Sequence, residues 1–191
     1  CGIGKYSVGG TDDCVDCSWG TYGPEVGLSS CPKCPVGKAQ KGVGQSKCDT
    51  CPAGQFADDV GYTSCTKSGP GKFSKEGAST ESDCPAGQEC PDGGCLECTD
   101  CNKGTYAAKA GTESCSKCEA GYYADGTAST GCTACPAGKY SEEGAVQCSD
   151  CPAGKYVSAT GSSHSSVCID CIEKTFSAAG SSRCDSGCPE G

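Results

Sequence analysis

Methionine is absent from this chain of 191 residues, tryptophan, histidine and asparagine occur once each, and phenylalanine occurs three times. A chain of this length would ordinarily form one globular domain. With so few large apolar side chains, burial cannot offset the entropy of ordering the backbone. The single imidazole, His164 in Ser162-Ser-His-Ser-Ser166, would have to serve alone as any histidine base, and its hydroxyl-rich surroundings read as an exposed loop tip. The one asparagine, Asn102, is followed by Lys-Gly, so no N-glycosylation sequon exists. No apolar run reaches the length of a membrane span or resembles a signal peptide, so no membrane contact is expected of this segment. It reads as mature and soluble, or as a window from something longer. An excess of positive charge is also missing. The net charge is −9, carried in short groups such as Asp12-Asp13, Asp58-Asp59 and Glu142-Glu143, which repel nucleic acid and anionic lipid. Calcium-loop, phosphate-loop and HExxH motifs are absent.

What the chain has instead is cysteine, at 23 positions, and glycine, at 30. The phrase Cys-Pro-Ala-Gly occurs four times, beginning at Cys51, Cys84, Cys135 and Cys151. Taking the head of this phrase as an opener, openers fall at Cys1, Cys17, Cys34, Cys51, position 68, Cys84, Cys101, Cys118, Cys135, Cys151, Cys171 and Cys188. The step is 16 or 17 residues, with one of 20. Glycine stands three residues after the opener in ten of the eleven complete repeats, Lys174 being the exception. An aromatic stands five after it in nine, from Tyr6 to Phe176. A second glycine follows at plus nine or ten in most repeats. Periods of this kind mark repeat architectures.

Repeats end with a closing cysteine, which in eight cases stands three residues before the next opening cysteine and so produces a series of Cys-X-X-Cys pairs from 14/17 to 168/171. Two pairings compete: opener with closer, or the two cysteines of one Cys-X-X-Cys. Repeat 5 decides between them, because Ser68 stands at its opener and Glu81 at its closer, so both cysteines are missing together. Loss of a bonded pair leaves no orphan thiol, whereas loss of halves of two bonds would leave two. The expected bridges are therefore Cys1–Cys14, Cys17–Cys31, Cys34–Cys48, Cys51–Cys65, Cys84–Cys98, Cys101–Cys115, Cys118–Cys132, Cys135–Cys148, Cys151–Cys168 and Cys171–Cys184. Repeat 6 adds Cys90 and Cys95 and has Glu89 where the ring should be, so a nested Cys90–Cys95 bridge is expected to replace the ring. Only Cys188 remains, with its partner expected beyond this segment.

Within a repeat, proline fixes φ, glycine permits a left-handed turn, and a stretch such as Gly138-Lys-Tyr-Ser141 alternates as a short strand does. The ring is expected to point onto the disulfides. A loop of about 15 residues closed by one disulfide gains roughly 3 kcal/mol in the chain-entropy model. Such a unit is too small to stand alone and must stack. The expected fold is a series of small disulfide-rich repeats, an elongated rod of hairpin-like units with short strands and little helix.

The phrase C-P-x-G-x-[YF]-S, the glycine turn and the closing Cys-X-X-Cys resemble the cysteine-rich ephrin-receptor-like (GCC2/GCC3) repeats. They are also similar to the single-disulfide module of tumour-necrosis-factor-receptor cysteine-rich domains. The two-disulfide module that alternates in that receptor family is absent, which favours a homogeneous spacer. The organisation reads as five repeats over 1–83 (the fifth without its disulfide), an irregular repeat over 84–100, five more over 101–187, and a further opener phrase at 188–191. Cys-X-X-Cys pairs would suggest zinc or redox chemistry in a cytosolic protein, but cysteines lost in opener–closer pairs argue against both. No metal, cofactor or catalytic residue is expected. Trp19 reads as a packing residue or an exposed contact. The functional expectation is an extracellular, non-enzymatic structural array in a surface fibre, appendage or stalk, with a receptor ectodomain as the alternative. Its partners would be copies of itself or a continuing repeat chain, through unfinished faces at 1–4 and 188–191. Its 24 serines and 14 threonines, many in turns, suit O-linked sugars.

Overall fold

A computed structural model describes residues 1–9 and 13–186. The opener expected at Cys188, the phrase it begins and Asp12 lie outside the described residues. Among the described residues, ten two-stranded antiparallel hairpins and one three-residue 3-10 turn, Ser165–Val167, make up the regular structure. The chain divides into two compact blocks, Cys1–Cys84 with Cys90–Cys98, and Pro85–Glu89 with the described chain from Thr99 onward.

Each hairpin is built the same way. The carbonyl of the residue after the opener accepts the N–H of the residue three further on, as in Lys5 N to Gly2 O (3.2 Å) and Lys139 N to Pro136 O (3.1 Å). This turn needs a left-handed residue at its third position, which is why glycine stands there, at φ +79° in Gly4 and +88° in Gly138. Two strand residues follow, and they pair with the two residues between the cysteines of the next Cys-X-X-Cys: Lys5 with Asp16, Gln88 with Asp100, Lys139 with Asp150. Repeat 2 keeps only a single bridge, Thr21 to Lys33.

The cysteine pairing follows from that register. The X-X residues are extended and both exposed, as at Val15–Asp16 and Ser149–Asp150. Two cysteines three apart on an extended strand point to opposite sides. Each therefore meets a different partner. The described residues hold eleven disulfides, ten joining opener to closer and one joining Cys90 to Cys95.

The core departs from the expected ring against sulfur. The largest fully buried side chains are nine cysteines, eight openers and Cys90. Tyr6, Phe56, Phe73 and Tyr140 are only half-buried. A small residue six after the opener is buried instead: Ala57, Ala107, Ala124, Ser74, Ser141 and Ser177 among others. The reason is steric. The backbone at this position pairs with the next repeat, as in Gly54 N to Ser74 O (2.7 Å) and Ala57 N to Ala78 O (3.2 Å), leaving no room for a ring.

Repeats are joined by backbone hydrogen bonds. In one block Cys51 N donates to Gly37 O (2.9 Å) and Gly77 N to Cys51 O (2.8 Å). In the other, Cys135 N donates to Gly121 O (2.8 Å) and Gly161 N to Cys135 O (2.8 Å). The reach extends to the second neighbour. The left-handed glycine of one repeat lies against the carbonyl of the second-glycine turn two repeats on: Gly4 on Gly44, Gly20 on Gly61, Gly37 on Gly77, Gly54 on Gly94, Gly87 on Ala128, Gly104 on Gly144, Gly121 on Gly161 and Gly138 on Gly180.

Candidate functional site

Four repeats depart from the regular pattern, and one surface feature recurs. Repeat 5 is closed without sulfur. Ser68, buried at the opener position, donates through its hydroxyl to Ser74 Oγ (2.9 Å). Glu81, at the closer position, accepts the N–H of Gly69 through Oε2 (2.9 Å), and Lys72 Nζ lies 3.5 Å from Glu81 Oε1 and 2.9 Å from Asp83 Oδ1. The hydrogen bond and charge of Asp83 hold the Lys72 ammonium above its ordinary range. A polar clasp spans the gap the cystine leaves.

Repeat 6 carries the extra bridge. Cys90 occupies the buried small-residue position, six after the opener, and is fully enclosed. Its bridge closes the loop 90–95, whose carbonyls receive repeat 5: Gly71 N donates to Cys90 O (2.8 Å) and Ser74 N to Cys95 O (3.4 Å). In the other block Glu89, in the ring position, accepts the N–H of Cys115 (2.6 Å). Repeat 3, with Ala39 in place of the ring, fills the same region with buried Gln40, whose amide donates to Lys47 O and accepts from Gly42 N (both 2.8 Å).

The expanded loop of repeat 10 places Val167 against Cys151, Val157 and Cys168, and buries Ser162, whose hydroxyl donates to Ala159 O (3.1 Å). His164 is exposed, as a loop tip should be. It nevertheless lines an open groove of about 820 Å³ with Lys117, Glu119, Glu142 and Glu143, a concavity its hydroxyl-rich sequence did not suggest. Lys117 and Glu143 pair there at 3.3 Å, both well exposed. This groove is a solvated acidic surface with one imidazole at its rim. Among the described residues no three His, Cys, Asp or Glu side chains are grouped so as to hold a metal ion.

Four smaller crevices are one feature repeated. Each is floored by the residue five after the opener and closed by the next repeat's closing cysteine: Tyr6 with Cys31, Ala39 with Cys65, Tyr106 with Cys132, Tyr156 with Cys184. Their volumes run from about 230 to about 340 Å³. The last is the most apolar, with Ile169 and Ile172 on its walls and Arg183 at its edge. Trp19 is exposed (66%) and is not a packing residue. Tyr62 donates to Asp58, and that bond, followed by desolvation and the Asp58 charge, raises its phenol above the ordinary tyrosine range.

Residues 4–44 and 121–168 match the family of tyrosine-protein kinase ephrin type A/B receptor-like repeats. The first match spans repeats 1 to 3 and the second repeats 8 to 10, one group in each compact block. No curated protein matches the chain. The disulfides together with these repeats point to an extracellular or cell-surface setting.

Proposed function

With ephrin-receptor-like repeats matched in both blocks, we propose that the chain is a non-enzymatic structural spacer, a disulfide-laddered array in a surface fibre, appendage or stalk. One observation carries the reading. Cohesion resides in disulfides and backbone hydrogen bonds, with cysteines as the largest fully buried side chains. A scaffold held this way leaves its surface side chains free of structural duty and tolerates lengthening repeat by repeat. The partners would be further repeats of the same class, in copies of the chain or along a longer one. Exposed serine and threonine turns would carry O-linked sugars. Electron microscopy of native material, with intact-mass measurement, tests this. Continuous filaments or stalks with a mass excess in hexose steps are expected. Isolated short particles without longitudinal continuity would remove the fibre.

A ligand-binding ectodomain is the second reading, and the recurring crevices favour it. Concave sites with an aromatic floor are where ligands bind, and the Tyr156 crevice with Ile169 and Ile172 is the best formed. Loss of a saturable ligand in Tyr156→Ala, with the disulfides unchanged, would support it over the spacer.

A further inference from the structure

The left-handed glycine three after each opener does more than turn the chain. A Cβ on Gly4, Gly20, Gly37, Gly54, Gly87, Gly104, Gly121 or Gly138 would fall closer than 3.0 Å to the carbonyl group of the second repeat ahead, a separation that side chains do not tolerate. The obstructing atoms are backbone, so they cannot swing aside. Glycine at this position is the condition for accepting a second neighbour.

Gly154 and Lys174 are the last two residues in this column. Gly154 has the same turn (φ +81°) and the same bonds to repeat 11: Gly154 N donates to Ser177 O and Cys171 N to Gly154 O, both 2.9 Å. Its Cα face is exposed, with nothing within 4 Å among the described residues. Lys174 makes the same turn at φ +64°, with Thr175 N donating to Ile172 O (3.0 Å). Thr175 Oγ1 bonds that carbonyl too (2.7 Å), as Thr21 Oγ1 does at Ser18 O (2.6 Å) in repeat 2. The backbone geometry of repeat 11 is thus regular, and a non-glycine residue stands at the position where, in eight other repeats, the carbonyl of the second repeat ahead leaves no space for a Cβ.

We infer that repeats 10 and 11 form a docking face for one further ephrin-receptor-like repeat, and that Lys174 bars a second one in the regular register. The face continues an interface the protein already uses eight times. The occupant places its turn carbonyl on Gly154, as Gly180 does on Gly138. The next repeat would have to place the same carbonyl on Lys174, where Cβ and the chain beyond it already stand. A lysine in a left-handed turn also carries a conformational cost that glycine does not, so nothing in the turn itself recommends it. Lys174 thereby sets where regular stacking stops, whichever function the array serves.

The test extends the chain after Ser186 with two copies of Cys135–Asp150, replacing residues 187–191. Amide hydrogen exchange at the turn glycine of each added repeat is then followed. In the Lys174 chain the first added repeat should be protected and the second should exchange like a free loop. In the Lys174→Gly chain both should be protected. Gly154→Lys, in the same extended chain, should release the first. Equal protection of the second repeat with lysine and with glycine at 174 would overturn the inference, as would protection of the first repeat in Gly154→Lys.

Discussion

Repeats 5 and 6 are neighbours in sequence and opposites in chemistry. One has no disulfide and the other has two, yet the hairpin register is the same, Lys72 with Asp83 and Gln88 with Asp100. The left-handed glycine recurs at Gly71 and Gly87, at φ +72° and +85°. The backbone ladder continues through repeat 5 without interruption: Ser68 N donates to Gly54 O (3.0 Å), Cys84 N to Gly71 O (2.9 Å) and Gly94 N to Ser68 O (2.8 Å). The closure of a repeat is therefore replaceable, while the turn and the ladder are not. Sulfur supplies stability, and backbone geometry supplies the fold.

The strongest way to break the comparison is to remove sulfur altogether. Full reduction should abolish the array, since each loop loses roughly 3 kcal/mol of chain-entropy stabilisation, comparable to the whole margin of a small domain. Circular dichroism and protease sensitivity before and after reductant check this. Folded repeats surviving reduction would show that the clasp of repeat 5 suffices everywhere.

Giving repeat 5 what its neighbours have should come next in size. Ser68→Cys with Glu81→Cys is expected to add a bridge and roughly 3 kcal/mol. A thermal melt with thiol counting measures it, and a lower melting temperature would mean that the polar clasp outperforms a cystine here.

Taking the extra bridge from repeat 6 should cost less, because its loop is short. Cys90→Ser with Cys95→Ser is expected to lose roughly 2 kcal/mol. Gly71 and Ser74, in repeat 5, should lose exchange protection with it, since their N–H groups bond Cys90 and Cys95. Unchanged protection at those two amides would uncouple the repeats.

The smallest effect belongs to the clasp itself. Glu81→Gln keeps an acceptor for Gly69 N and removes the ion pair with Lys72, a loss smaller than that of any bridge because the pair is exposed to solvent. Lys72 is held above its ordinary value, chiefly by its hydrogen bond to Asp83. Its contribution is fully present below the unfolded lysine pKa of about 10.4 and is lost as pH rises through the higher folded value. A melt that is unchanged from neutral pH to the lysine range and falls above it is expected, and Lys72→Ala should reduce that alkaline fall, the raised phenol of Tyr62 supplying part of what remains.

Much of this was legible in the sequence, and the remainder was hidden for physical reasons. The joint absence of cysteine at positions 68 and 81 identifies opener and closer as partners without any structure. The ring position misled because an aromatic in an alternating strand normally marks a core. Here the core is a cystine ladder together with the buried residue one position after the ring, and the signal of that position was the column Ala57, Ser74, Ala107, Ala124, Ser141, in which residues are small and none is charged. The contact between second neighbours was invisible, since a period reports how often a unit recurs and not how far it reaches. Two glycine columns, three and about ten after the opener, were on the page, but only coordinates show that one rests on the other two repeats later. Crevices such as that of Tyr156, Ile169 and Arg183 are likewise assembled from two repeats and have no single motif.

The missing cystine of repeat 5 also has a consequence for load. A pull along the chain enters a regular repeat at its opener, crosses the disulfide to the closer 5.4–5.8 Å away, Cα to Cα, and bypasses the loop between them. Such a repeat can lengthen very little. Between Cys65 and Cys84 no bond short-circuits the path, and the full run from Thr66 to Asp83 is in series with the force. At about 3.3–3.6 Å per extended residue, that run holds roughly 60 Å of contour. Pulled from its ends in a force spectrometer, the oxidised chain should yield one extension of that order between residues 65 and 84, and Ser68→Cys with Glu81→Cys should erase it. Among the described residues, repeats that otherwise behave as nearly inextensible links thus include one element of slack, held shut by a serine, a glutamate and a lysine.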